Sequence, residues 1–105
     1  MRRAEIFWAD LGPPAGRRPV IVLTRDVAIP VLRSVVVALI TRTIRGIASE
    51  LPLGREEGLP DECVATFDNL FTLAKEHCDP EPVGALDWSR FDELDGALRF
   101  ALGIA

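Results

Sequence analysis

Two apolar runs without polar alternation stand out along the chain. Val20-Ile21-Val22-Leu23-Thr24 is the first, and Ser34 to Thr41, with Val35-Val36-Val37-Ala38-Leu39-Ile40 at its centre, is the second. Both are rich in β-branched residues and lack a polar face, which predicts strands buried on both sides. Such strands usually belong to parallel sheets. Here the connection between them is short and holds Pro30, whereas a parallel crossover needs about a dozen residues or more. The pattern therefore predicts an antiparallel return with at most a short helical turn near Asp26 to Leu32. Ahead of these runs, Glu5 to Leu11 predicts an opening strand with Ile6 and Trp8 on one face and Phe7 on the other. Gly12-Pro13-Pro14-Ala15-Gly16 ends it, because proline lacks the N–H a ladder needs and fixes φ.

Further along, Ile47 to Leu53 predicts a weaker strand, placed at a sheet edge by Pro52. A polar loop over Gly54 to Asp61 follows, then a strand over Cys63 to Asp68 and a short one over Leu70 to Leu73. Two prolines and a glycine between Asp79 and Gly84 break the pattern. Asp87 is a natural N-cap for a helix over Trp88 to Leu102. In that helix Phe91, Leu94, Leu98, Ala101 and Leu102 recur at helical spacing, and Gly103 ends it. The period assigns Trp88, Phe91 and Phe100 to core packing. The whole reads as one α+β domain over residues 1–105, a small and strongly bent antiparallel sheet or partial barrel with a helix closing one opening.

Composition narrows the classes. Of the 105 residues 49% are apolar and 27% charged, so the chain can bury a core and is not a disordered acidic tail. No apolar stretch approaches the twenty residues of a membrane span, and Arg2-Arg3 leads into Glu5 and Asp10 rather than an apolar segment, so a secretory signal is not expected. Cys63 and Cys78 have no paired spacing and read as reduced thiols, which predicts a cytoplasmic protein. A single histidine excludes mechanisms needing two imidazoles from one chain. His77, Cys78, Asp79 and Glu81 look like metal ligands, but ligands this close rarely close a site without a second cluster, and there is none. No metal or other cofactor is expected. The acidic groups Glu56, Glu57, Asp61 and Glu62, and Asp92, Glu93 and Asp95, read as solvated surface.

The net charge of −4 conceals an asymmetry. Residues 1–55 carry nine arginines against four acids, and residues 56–105 carry three cations against twelve acids. Arginine suits planar, bidentate phosphate contacts, so the first half suggests an anionic partner, although a basic face can also be simply solvated.

Three segments together with the closing helix carry a resemblance. They are Glu5-Ile6-Phe7-Trp8-Ala9-Asp10-Leu11-Gly12-Pro13 with Gly16-Arg17-Arg18-Pro19-Val20-Ile21-Val22; Val35 to Thr41; and Gly58-Leu59-Pro60 with Cys63-Val64-Ala65-Thr66-Phe67-Asp68-Asn69-Leu70 and Thr72-Leu73. With Ala97-Leu98-Arg99-Phe100-Ala101-Leu102-Gly103 they resemble, in order and over nearly the whole chain, the MazF/PemK family of toxin ribonucleases. The resemblance implies a small SH3-like antiparallel barrel and a homodimer. It also implies sequence-specific, metal-independent endoribonuclease activity on single-stranded RNA, and a cognate MazE-like antitoxin through which alone DNA is contacted. It assigns catalysis to Arg18, just before Pro19, and to Thr41 at the end of the third strand. Asp68 and Asn69 fall where the family shapes its RNA groove. Arg17 and Arg42, with Arg45, fit phosphate contacts, whereas Arg25 and Asp26 fit the turn after the second strand.

The chemistry is compatible with these roles. Cleavage through the substrate's own 2′-OH needs no protein nucleophile, and a guanidinium can stabilise the charge that builds on the phosphoryl oxygens. A threonine hydroxyl can donate to a phosphate oxygen or orient the 2′-OH. Neither group titrates near neutrality, so neither is a general base. Many family members carry an acid in a longer first loop after a Gly-Ser pair; here Gly16 runs straight into Arg17-Arg18. Arg17, a water or Asp10 are then the open choices for acid–base work. A related branch of the fold poisons a topoisomerase instead of cutting RNA, and that is the alternative reading.

Overall fold

The computed structural model describes residues 1–105. Six strands form one sheet: β1 (Glu5–Asp10), β2 (Arg17–Val22), β3 (Ser34–Thr41), β4 (Glu50–Leu53), β5 (Cys63–Ala74) and β6 (Gly84–Ala85), followed by the helix α1 (Phe91–Leu102). Their order is β4-β5-β3-β2-β1-β6, with every pair antiparallel. The sheet curls into a half-barrel with β4 and β6 as its free edges. Pro52 sits in the edge strand β4, where a missing N–H costs least. The return from β2 to β3 is antiparallel, Val20 facing Leu39, and residues 25–32 make a short turn closed by bonds to the Arg25 and Ala28 carbonyls.

The apolar runs lack a polar face because the sheet has a core on each side. Ile6, Ile21, Ala38, Ile40, Leu51 and Phe67 pack on one face, beneath Leu94 and Ala97 of α1. Phe7, Ala9, Val20, Val22, Val35 and Val37 pack on the other, against Ile29 from the β2–β3 turn. Helix α1 thus covers only one of the two layers.

Several sequence expectations are corrected. The strands expected at Cys63 to Asp68 and Leu70 to Leu73 are a single strand, β5. Its register slips: Leu39 pairs with Thr66 but Ala38 with Leu70, so Phe67, Asp68 and Asn69 have no partner on β3. The bulge looks like a break in the pattern, yet it is pinned on the other side, where the Phe67 N–H reaches the Ser49 carbonyl and Ser49 Oγ donates to Asp68 Oδ2 at 2.6 Å. Strand β4 starts at Glu50 rather than Ile47, because the Glu50 carboxylate takes the N–H groups of Arg45 and Gly46 and holds the preceding residues in a loop. Asp87 caps a short 3₁₀ turn (Trp88–Arg90) ahead of α1 rather than α1 itself. Trp88 and Phe100 are not core: they are 79% and 64% exposed. Phe100 projects away from the Leu94–Ala97 stripe, and Trp88 precedes the α-helix; only Phe91 packs as expected. Strand β6 was not anticipated, since two residues carry no periodicity.

Glu57 was expected at the surface but is buried. Its Oε1 accepts the Gly54 N–H at 2.7 Å and its Oε2 lies 3.5 Å from Arg90, closing the 3₁₀ turn Arg55–Glu57. Next to it, Gly58 has φ +90°, and a Cβ there would strike the Val83 carbonyl, as one on Gly84 would strike that of Glu57. Only glycines allow these two segments to cross so closely. The crossing holds the following residues, Leu59-Pro60-Asp61, in place.

Candidate active site

A cleft of about 520 Å³ lies where the ends of β1, β2 and β3 meet the Leu59–Asp61 segment. Arg18 and Thr41 both line it. The β2–β3 register, carried two residues past its last pair at Val20 and Leu39, sets Thr41 opposite Arg18. The ladder stops short of Pro19, which has no N–H to donate, and beyond it Arg18 and Thr41 both line the cavity. Arg18 is half-buried and has no acidic partner. The one hydrogen bond its side chain makes is 3.4 Å long, from Nη2 to the Ile40 carbonyl oxygen, at the long limit. Thr41 Oγ1 accepts the Thr43 N–H at 3.2 Å, which leaves its own hydrogen free to donate.

Arg17 and Arg42 line the same cleft but are more exposed, and each faces a carboxylate. Arg17 makes a two-pronged bond to Asp79, at 2.7 and 3.1 Å. That hydrogen bond holds the Asp79 carboxyl below its ordinary range and raises Arg17 above its own. Arg42 stands 3.7 Å from Asp61. Asp61, read from sequence as surface charge, is the only carboxylate among the lining residues. Asp10 is not among them; its carboxylate takes the Gly12 N–H at 3.0 Å within the β1–β2 turn.

A smaller pocket of about 170 Å³ shares Thr41 and Thr43 with the cleft and contains Arg45 and Asn69. Thr41 is therefore at the junction of the two. Asp68 lines neither, being engaged by Ser49. Sequence reasoning missed Trp8 and Cys63. Trp8 is 37% exposed at the cleft edge although Ile6, two residues back, is buried; a tryptophan at a strand position between buried neighbours gives no sign that it opens on a cavity. Cys63 donates to the Leu53 carbonyl, and burial, then Glu57, Asp61 and Glu62, pushes its thiol up, keeping it protonated at neutrality. Asp79, one of the four residues that resemble metal ligands in sequence, is occupied by Arg17, and no group of three or more His, Cys, Asp or Glu side chains is placed to hold a metal ion.

The family model described as "PemK-like, MazF-like toxin of type II toxin-antitoxin system" matches residues 2–102. Among curated proteins, the chain is similar to a probable endoribonuclease MazF2 of Mycobacterium tuberculosis, 47% identical over 76 residues, covering 71% of this chain and 72% of that one. Among solved structures it is similar to the Mycobacterium tuberculosis toxin MazF-mt6, with TM-score 0.88 and 35% identity over 96% of this chain and 98% of that one. It is also similar to an endoribonuclease in complex with its cognate antitoxin from a mycobacterial species, with TM-score 0.87 and 25% identity over 100% and 97% of the two chains.

Proposed function

The chain belongs to the PemK-like, MazF-like toxins of type II toxin–antitoxin systems, and on that premise we propose that its cleft cuts single-stranded RNA, sequence-specifically and without metal, with Arg18 and Thr41 as the catalytic pair. The protein is an endoribonuclease toxin. The relatives are named endoribonucleases, and the topoisomerase-poison reading has no support among them. The observation that carries the proposal is Arg18, the one guanidinium of the cleft without an acidic partner, beside a threonine hydroxyl free to donate. A half-buried cation with all but one of its side-chain donors unspent is arranged in advance for the charge that a pentacoordinate phosphorane spreads over its oxygens. Trp8 at the edge offers a base a stacking face, and Arg17, Arg42 and Asn69 extend the contact along the strand.

Cleavage by the 2′-OH leaves a 2′,3′-cyclic phosphate and a 5′-OH. A long single-stranded RNA incubated with the protein in excess EDTA is therefore cut, and end mapping finds those termini. Loss of cutting in chelator, restored by magnesium or manganese, would sink this reading. The partners proposed are a cognate antitoxin, through which DNA is contacted, and a second copy of the chain. Val27 and Val31, each 81% exposed, and Leu32 and Val36 beside them leave an apolar surface at the β2–β3 turn that favours a homodimer. Sedimentation equilibrium is expected near twice 11.5 kDa, and a micromolar monomer that still cuts RNA contradicts it.

A further inference from the structure

From the cleft's geometry we infer that Asp61 is the general base that takes the 2′-OH proton. This inference rests on the ribonuclease reading of the cleft. Arg18 and Thr41 stabilise and orient but cannot accept a proton at neutral pH. The sequence offers no acid in the first loop, and the Asp10 carboxylate is turned to Gly12 outside the cleft. Cys63 is held as a thiol with its hydrogen on the Leu53 carbonyl. Asp79 stands beside Arg17, but both its oxygens are occupied by that guanidinium. Asp61 alone brings a carboxylate to the cavity that holds Arg18 and Thr41.

Its surroundings fit the task. The nearest cation, Arg42, is 3.7 Å away, beyond hydrogen-bonding reach, so the Asp61 oxygens are free to accept from a substrate hydroxyl. Asp61 is exposed, while the segment carrying it is fixed by buried Leu59, by the buried Glu57 with Arg90, and by the Gly58–Gly84 crossing. A base on such a support keeps its position without being sealed from RNA. The charged and titratable groups around it are Arg42, Arg17 and Arg18 of the cleft, the Cys63 thiol, and Glu62 beside it in the chain.

In the step, Asp61 takes the proton from the 2′-OH as that oxygen forms its bond to phosphorus. The bond from phosphorus to the 5′-oxygen breaks, and the departing oxygen takes a proton from water. The hydroxide left behind removes the proton from Asp61, so no water is consumed and the carboxylate is restored. Products are the 2′,3′-cyclic phosphate and the 5′-OH.

The test compares Asp61→Asn, Asp61→Glu and, as a control outside the cleft, Glu62→Gln. Single-turnover cleavage in EDTA is followed across about pH 4 to 8, and affinity is measured with the same RNA carrying a 2′-deoxy residue at the cut. Asp61→Asn is expected to slow cleavage by about 10²-fold or more and to lose the acidic limb of the parental pH–rate profile. Its affinity for the uncleavable RNA stays equal or rises, since a negative charge has left the cleft. Asp61→Glu recovers part of the rate together with the acidic limb, and Glu62→Gln behaves as the parent. A merely structural or charge-balancing role would change affinity or thermal midpoint and leave the acidic limb in place, and that result overturns the inference. So does an Asp61→Asn protein that cuts at the parental rate. A parental protein that leaves the RNA whole in EDTA instead overturns the underlying metal-independent ribonuclease reading.

Discussion

On the floor of the cleft Arg18 has only a long contact to the Ile40 carbonyl, whereas at the rim Arg17 and Arg42 each face a carboxylate supplied by the second half of the chain. The same division recurs outside the cleft, where Arg3 bonds Asp95 of α1 at 2.8 Å. The basic first half and acidic second half are thus not two patches awaiting two partners. The fold sets several of their charges against each other. What this pairing leaves over is informative: a rim cation with a carboxylate is already partly neutralised and would have to exchange partners to bind phosphate, while Arg18 has no acidic partner to give up and only one of its donors engaged. Exposed pairs of the rim kind add little to stability and are screened by salt, which makes them suited to exchange.

The largest effects are expected at the floor. Arg18→Ala is expected to slow single-turnover cleavage by about 10²-fold or more, while affinity for an uncleavable RNA falls far less, because the rim still neutralises phosphates. Thr41→Ala follows the same pattern with a smaller loss, about tenfold, the scale of one hydrogen bond. Neither shifts the thermal midpoint appreciably. Should Arg18→Ala unfold the protein or cut at the parental rate, the floor is not the catalytic element.

Changes at the rim are smaller and opposite in sign to one another. Arg42→Ala weakens RNA binding and lowers the slope of log affinity against log salt by about one, with the rate at saturation largely kept. Asp79→Asn frees Arg17 and tightens binding at low salt by a few-fold. Acid acts on the same pair. The folded-state pKa of Asp79 is lowered, so its contribution to stability is complete above the ordinary aspartate value and fades as the pH falls through the lowered one. Arg17 therefore stays paired through mild acid, and any gain in RNA affinity in the parent from this source comes only below the ordinary aspartate range. Titrations at matched ionic strength distinguish the two substitutions; equal effects from both would erase the distinction between paired and unpaired arginines.

The apolar runs at Val20 and Val35, the prolines and the helical spacing from Phe91 to Ala101 were enough to specify strands, turns, an edge and a covering helix, because burial on one or two faces is written directly into residue period. Arg18 and Thr41 could be singled out for the same local reason: each lies at the end of a run whose pattern is plain, in a motif that resembles a known family. The bulge at Phe67 to Asn69 was read as a break because its hold comes from Ser49, nineteen residues before Asp68. Trp88 and Phe100 were assigned to the core since period gives a face but not whether another layer lies against it. Asp61 is exposed, as its sequence context predicts, but only the crossing of Gly58 and Gly84 sets its loop beside the strand ends. Which arginines are neutralised was equally out of reach, since Asp79 is 62 residues from Arg17. The sequence determined which segments hide from water and which residue types meet the reaction's needs. Only the tertiary structure decided which charges cancel and which carboxylate reaches the cleft, because electrostatic interaction depends on distance in space and not on separation along the chain.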